Sequence, residues 1–230
     1  MLRRSMVVVG VLAVSLVTDA VAEISGAVAL LSDYRFRGVS LTSERPAAQA
    51  DVNYDAASGW YAGAFISNVE FDFYPRLNRL LLTYAGYAHR IGADLSVDAG
   101  VKYADLSPGS DFDYLEAHAG VTARFINVQL AYAPKYFGQH RAATYVELNS
   151  GTELTQTLRV FGHVGVLYVR PEPYQRTSST RVDGRIGLRY ERDSFSAQFS
   201  RVAVSGISLI YPVESSQRRG AWVLQVARVF

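Results

Sequence analysis

The sequence contains no cysteine, so disulfide staples, thiolate metal sites and thiol nucleophiles are all excluded. Lysine is almost missing too, with two residues against 21 arginines, and the formal net charge is only +2. No basic run interleaved with aromatics occurs, which removes the usual footprint of nucleic-acid binding. Past residue 22 no stretch reaches ~18 consecutive apolar residues, the minimum for a membrane-spanning helix. The G-x-S-x-G elbow and any glycine loop for phosphate are absent. The four histidines, His89, His118, His140 and His163, include no pair at metal-ligand spacing. These absences predict no enzyme, no cofactor and no metal. What is present is a hydrophobic fraction of 49% spread over short stretches, with 15 tyrosines and 18 glycines, which suits a β protein.

The first 22 residues differ from the rest. Arg3 and Arg4 form a positive n-region, residues 6–17 are an uncharged apolar run, and Ala20, Val21 and Ala22 make a small-x-small cleavage site before Glu23. The run falls short of the ~20 apolar residues that a spanning anchor needs. It reads as a signal peptide over 1–22, leaving residues 23–230 as the mature chain.

In the mature chain the dominant signal is alternation with a period of two, which gives a strand one apolar and one polar face. Leu95, Val97, Ala99, Val101 and Tyr103 interleave with Ser96, Asp98, Gly100 and Lys102. Leu115, Ala117, Ala119 and Val121 interleave with Glu116, His118, Gly120 and Thr122. The same rule gives twelve segments: 24–32, 47–54, 60–69, 80–90, 95–104, 113–123, 126–133, 143–149, 155–167, 181–190, 194–203 and 220–230. Segments 24–32 and 80–90 alternate poorly, which leaves their facing open. The connections alternate between long and short, as in a transmembrane barrel with tight periplasmic turns and longer outer loops. Twelve strands leave about 17 residues for each strand and its connection, against the ~9–11 that a tilted membrane strand needs. Ten strands remain an alternative if weak segments pair outside the membrane.

The polar face carries Asp51, Asp98, Lys102, Glu116, His118, Glu147, Arg159, His163, Arg181, Asp183, Arg185 and Arg189, while the other face is rich in Ala, Val and Leu with Tyr near segment ends. Charges inward and aliphatics outward with aromatic girdles is the outer-membrane pattern; a soluble barrel or sandwich would instead turn bulky apolar residues into a core. The predicted fold is therefore all-β, a transmembrane antiparallel up-and-down barrel of about twelve strands. Its candidate pore lining is the set of twelve polar side chains just named.

The chain closes on Val229 and Phe230, after an alternating strand. A terminal Phe on such a strand resembles the signal read by the outer-membrane barrel assembly machinery, although Arg228 departs from it. A second resemblance is more specific. Ser32, Asp33, Tyr34, Arg35, Phe36, Arg37, Gly38, Val39 and Ser40, then Pro46, Ala47 and Gln49, then residues 58–63 (SGWYAG) and 67–69 (SNV), resemble the opening of the TorF family of porins. Echoes continue at residues 84–87, 113–116 and 134–138 and at Tyr145. Phe65 and the apolar residues 80–82 depart from the family pattern, in a way that bears on selectivity if they shape the pore. The resemblance implies an outer-membrane porin and brings no substrate with it. Gly38 suits a left-handed or close-approach backbone position in the first outer loop, and Asp33 is placed to pair with Arg35 or Arg37. That loop reads either as a structural tie or as an inward constriction.

The resulting expectation is a narrow passive channel in the bacterial outer membrane for small hydrophilic, and in one reading anionic, solutes. A non-conducting structural or adhesive barrel is the alternative. A barrel enzyme using His118 or His163 with Glu116 or Glu147 is a weaker one. The partners are outer-membrane lipid and lipopolysaccharide, the assembly machinery through Phe230, and the solutes themselves. Basic residues concentrate on 155–167 and 181–190 and acids elsewhere, so in-order closure would set a field across the lumen. The mature protein is expected to fractionate with outer membranes and to give a far-ultraviolet dichroism spectrum dominated by strand; recovery as a soluble periplasmic protein would overturn this reading.

Overall fold

The computed structural model describes residues 22–71, 76–107, 110–171, 179–205 and 217–230. The expected signal peptide, apart from Ala22, lies outside the described residues, as do parts of the second, third, fifth and sixth long loops.

The strands in chain order are β1 (Glu23–Leu31), the short pair β2 (Arg35–Phe36) and β3 (Val39–Ser40), β4 (Ala47–Asp55), β5 (Trp60–Asn68), β6 (Arg79–Ile91) and β7 (Leu95–Asp105). There follow β8 (Tyr114–Ala123), β9 (Ile126–Ala133), β10 (Ala143–Glu153), β11 (Leu158–Val169), β12 (Ser179–Arg192), β13 (Phe195–Val204) and β14 (Gly220–Val229). A single 3-10 turn, Tyr136–Gly138, lies between β9 and β10. All but β2 and β3 form one closed antiparallel barrel of twelve strands, each paired with its neighbours in sequence. The twelve-strand alternative is thus the one realised. β1 closes the ring by pairing with both β4 and β14. At the seam Gly26 and Phe230 exchange backbone hydrogen bonds, each 3.0 Å long. A Cβ at Gly26 would meet the Phe230 ring at 2.8 Å, so glycine is what lets the terminal ring lie across the seam.

Short turns gather at one rim, at residues 56–59, 92–94, 124–125, 154–157 and 193–194. Gly59, Gly92, Arg124 and Asp193 supply the positive φ that tight hairpins require. The longer loops gather at the other rim. Along the strands inward residues tend to be buried and outward ones exposed, most clearly in β8 and in the loop-rim half of β13. The two segments with unreadable facing follow the same rule: Ala27, Ala29 and Leu31 point inward on β1, and Leu80 and Leu82 on β6, with Val28, Leu30 and Leu81 on the outer face. Their alternation is weak for a physical reason. These inward positions near the loop rim face a packed apolar interior, so both faces call for aliphatic residues.

The outer face is apolar and open: Ile24 is 74% exposed, Ile186 64% and Val164 54%. In a water-soluble protein such a belt would be a large aggregation-prone patch; against hydrocarbon it is the favoured surface. Aromatics mark its two edges, with Tyr54, Trp60, Tyr190 and Phe195 near the turn rim and Tyr103, Tyr132, Tyr168 and Trp222 near the loop rim. Val164 lies midway along β11. Val164→Arg is expected to lower the stability of the bilayer-folded barrel by about 2–4 kcal/mol, the cost of a midplane cation, whereas Val164→Leu is expected to be near neutral; denaturant titration in lipid vesicles reads both.

Candidate functional site

The barrel interior has two zones. Near the loop rim it is a hydrophobic core built from wall residues such as Leu31, Leu80, Ala133, Leu167 and Val169 together with loop residues Tyr34, Val39, Leu41, Phe71, Tyr136 and Phe137. Towards the turn rim it is lined by polar and charged side chains.

The first loop folds inward and is tied on both sides. Asp33 accepts from Arg35 Nε at 2.6 Å and from Ser40 Oγ at 2.5 Å, while the Tyr34 N–H donates to Thr42 Oγ1 at 3.1 Å. Arg35 is thus the pairing partner of Asp33. Arg37 does something else. On the far side of the lumen its Nη2 donates to Glu116 Oε2 on β8 at 2.6 Å and its Nη1 to Tyr136 Oη at 2.9 Å. Its guanidinium stacks 4.1 Å from the Tyr145 ring centre and 4.8 Å from that of Phe36. Phe36 in turn packs on Phe137, 6.3 Å between ring centres. Lys102 Nζ shares Glu116 at 3.4 Å. Between β2 and β3, Gly38 has φ +81, and a Cβ there would meet Asp183 and Val204 at 2.8 Å. It combines the left-handed backbone and the close approach expected of it. Ser32 anchors the loop's start, accepting from the Leu224 N–H at 3.0 Å. The first loop is therefore a structural tie that is folded into the lumen.

All twelve candidate lining residues fall on the inward parity of their strands. On β11 and β12, Arg159 and Arg189 are register partners, and the guanidiniums of Arg185 and Arg189 each lie 5.6 Å from the Phe161 ring. Arg185 Nε donates to Ser200 Oγ at 3.0 Å, Arg189 Nη2 to Gln198 Oε1 at 2.6 Å, and Arg159 pairs with Glu153 at 3.0 Å. Arg181 is buried on the same face. Asp183 turns to His163 Nε2 at 3.0 Å and accepts from Tyr145 Oη at 3.1 Å. Across the barrel, Asp51 accepts from Asn53 Nδ2 at 2.8 Å, and Asp98 lies 3.6 Å from His118 Nε2. In the strand order β12 stands opposite β6, so Asp51 on β4 and Asp98 on β7 lie on the wall that faces the arginines. Of the two histidine–glutamate pairings considered from the sequence, that of His118 with Glu116 is not made and that of His163 with Glu147 is a long contact. Glu116 is taken by Arg37 and Lys102, and His118 instead meets Tyr61 Oη at 2.9 Å; Glu147 is 3.9 Å from His163 Nδ1, beyond the Asn149 Oδ1 at 2.7 Å.

Several lining residues were missed in sequence reading: Tyr61, Tyr145, Asn149, Phe161, Gln198 and the plug residues Tyr136 and Phe137. Parity alone would have found Tyr145 and Asn149, two positions either side of Glu147. Tyr136 and Phe137 fall in the stretch 134–138 that echoes the family resemblance, but no local pattern places them in the lumen, and they are fully or nearly fully buried because the barrel closes around them.

Residues 17–211 match the model of a family described as a bacterial protein of unknown function, Gcw_chp. No curated protein matches the chain in sequence. Among solved structures, the KdgM porin superposes with a TM-score of 0.56 at 13% identity, over 91% of this chain and 99% of its own. The NanC porin gives 0.56 at 8% identity over 90% and 98%, and the COG4313 outer membrane channel from Pseudomonas putida F1 gives 0.53 at 10% over 96% and 100%. These likenesses show a porin-type barrel fold.

Because Arg37 and Glu116 expose only 6% and 2% of their side chains, removing one charge strands the other. Glu116→Gln is expected to weaken the docking of the first loop by about 3–5 kcal/mol, the cost of a buried unpaired charge, and Gly38→Ala by about 1–3 kcal/mol through backbone strain. In both variants limited proteolysis is expected to cut within residues 33–45 while the strand dichroism is unchanged; resistance equal to wild type would show that the loop is held by other contacts.

Proposed function

This chain belongs to the Gcw_chp family of bacterial proteins of unknown function, and we propose that it is an outer-membrane porin, a narrow passive channel for small hydrophilic, anionic solutes. The carrying observation is the division of one closed barrel into an apolar outer face and a charged interior, in which Arg159, Arg181, Arg185 and Arg189 gather on β11 and β12 among the carboxylates that pair with part of them. Closed barrels span bilayers because every backbone group is paired within the wall. The turn rim is then periplasmic and the loop rim external. The resemblance of residues 32–40 to the TorF porins supports the same reading, as does the fold shared with KdgM and NanC.

Anion preference rests on Arg159, Arg185 and Arg189. Their charge persists at any relevant pH, and their planar forks match carboxylate and phosphate geometry. With Asp183 engaged by His163 and Tyr145, the carboxylate beside them in sequence is directed away to another partner. One KdgM structure is described as a complex with disordered oligogalacturonate; a carboxylated solute of that kind fits the arginine wall here. No catalytic role is proposed for His118 or His163: Nε2 of His118 meets Tyr61 Oη, and both ring nitrogens of His163 serve the hydrogen-bonded lining.

The packed outer zone favours a second reading, a barrel that stays shut and serves a structural or adhesive role. Planar-bilayer recording separates the two. Wild type is expected to give small or infrequent conductance steps, and Arg37→Ala combined with Glu116→Ala larger and more frequent ones. In that opened background, changing Arg159, Arg185 and Arg189 to Gln is expected to move the reversal potential in a salt gradient towards cations. An unchanged reversal potential would assign these arginines to structure. Electrical silence in wild type and opened variant alike, with folding verified, would establish the shut barrel.

A further inference from the structure

The outward wall is almost free of charge, and the exceptions have simple explanations. Arg79 and Asp105 pair with each other at 2.9 Å near the loop rim, and His89, Arg192 and Arg228 sit at the turn rim. Arg201 is different. On β13 the inward residues are Gln198, Ser200, Val202 and Val204, so Arg201 points outward, between Phe199 and Ala203. Its register partners are Ile186 on β12 and Trp222 on β14, which are 64% and 61% exposed. Among the described residues no carboxylate stands within ion-pair distance of it.

Its surroundings hold the guanidinium in place. It lies 5.6 Å from the Trp222 ring centre, and Trp222 is itself stacked face to face on Phe199, 4.9 Å apart at an interplanar angle of 1°. Gly220 leaves the space above open: a Cβ there would come within 2.8 Å of Arg201 Nη2. Arg218 and Arg219 are exposed just beyond, at the loop rim, and of these Arg218 is engaged by Glu44 at 3.1 Å. Trp222 belongs to the loop-rim aromatics, so Arg201 stands at the level where hydrocarbon gives way to headgroups.

A cation facing lipid is costly unless it reaches the interface or meets an anion. We propose that Arg201, seated on Trp222 beneath the open space at Gly220, binds a phosphate of the lipopolysaccharide in the outer leaflet. The site rests on the outer-membrane reading above, and the loop rim fixes which leaflet it faces. A guanidinium fork held against an aromatic face is preorganised for two hydrogen bonds to phosphate oxygens. Phe199 and Trp222 offer the adjoining acyl chains an apolar bed.

The test uses the mature barrel refolded in detergent and titrated with diphosphoryl or dephosphorylated lipid A, with bound lipid counted by native mass spectrometry. Wild type is expected to retain the diphosphoryl form, and Arg201→Gln to bind it about tenfold more weakly, the loss of one charge-assisted contact. Arg228→Gln, at the opposite rim, is expected to change nothing. Equal binding by wild type and Arg201→Gln, or equal binding of the dephosphorylated lipid, would overturn the site. Competition by millimolar inorganic phosphate would reassign it to free anions. Dichroism and insertion into phosphatidylcholine vesicles are measured on the same samples; a wild type that folds as strand but stays in solution would overturn the membrane reading itself, and the lipid site with it.

Discussion

The pairing of β1 with β14 is the constraint on which the rest of the structure depends. An open sheet of twelve strands would leave two edges of unpaired N–H and C=O groups, which hydrocarbon cannot satisfy. Closure removes both edges, and the reciprocal hydrogen bonds between Gly26 and Phe230 hold the seam near the end of the chain. Once the ring is closed, the pleat leaves each side chain only two destinations. Every aliphatic residue of one parity goes to the outer belt, and every residue of the other parity is confined to a small interior.

That confinement explains how an interior rich in charge can also be well packed. Arginine fills space with its stem and distributes its charge over a planar group, so Arg185 and Arg189 can flank the Phe161 ring and still bond Ser200 and Gln198. Glycines on the inward face leave room for large side chains from neighbouring strands: a Cβ at Gly100 would lie 2.8 Å from the His118 ring and 2.9 Å from Tyr61 Oη. The wall and its lining are therefore matched pairwise across strands, and the polar zone holds its shape without a hydrophobic core.

The plug obeys a different logic. Its apolar residues would pack against almost any aliphatic wall, but Arg37 must find a carboxylate once it is taken out of water. Glu116 supplies it, and the rings of Phe36, Tyr136 and Tyr145 complete a cage that a lysine could not fill in the same way. The clasp between Gln217 and both backbone groups of Ser40, at 3.0 and 3.2 Å, joins the first loop to the last one. Among the described residues of the loop rim, the first loop and the end of the last are thus tied to each other.

Most of the wall was legible in the sequence because strand alternation is a local property. The inward parity of Asp98, Glu116 and Arg185 follows from the apolar residues on either side of them, and the alternating loop lengths report the rims without reference to any contact. Even the need for glycine at position 38 could be read from its place in the first loop. Legibility ended where two parts of the chain meet. Neither the capture of Arg37 by Glu116, 79 positions away, nor the turn of Asp183 towards His163 rather than its near neighbours in sequence can be inferred from spacing. The same is true of Leu80 and Leu82, whose inward facing was obscured because a loop fills the lumen beside them. Parity is decided by each residue's immediate neighbours in the chain, whereas ion pairing and packing are decided by distance in space, which only the closed barrel sets.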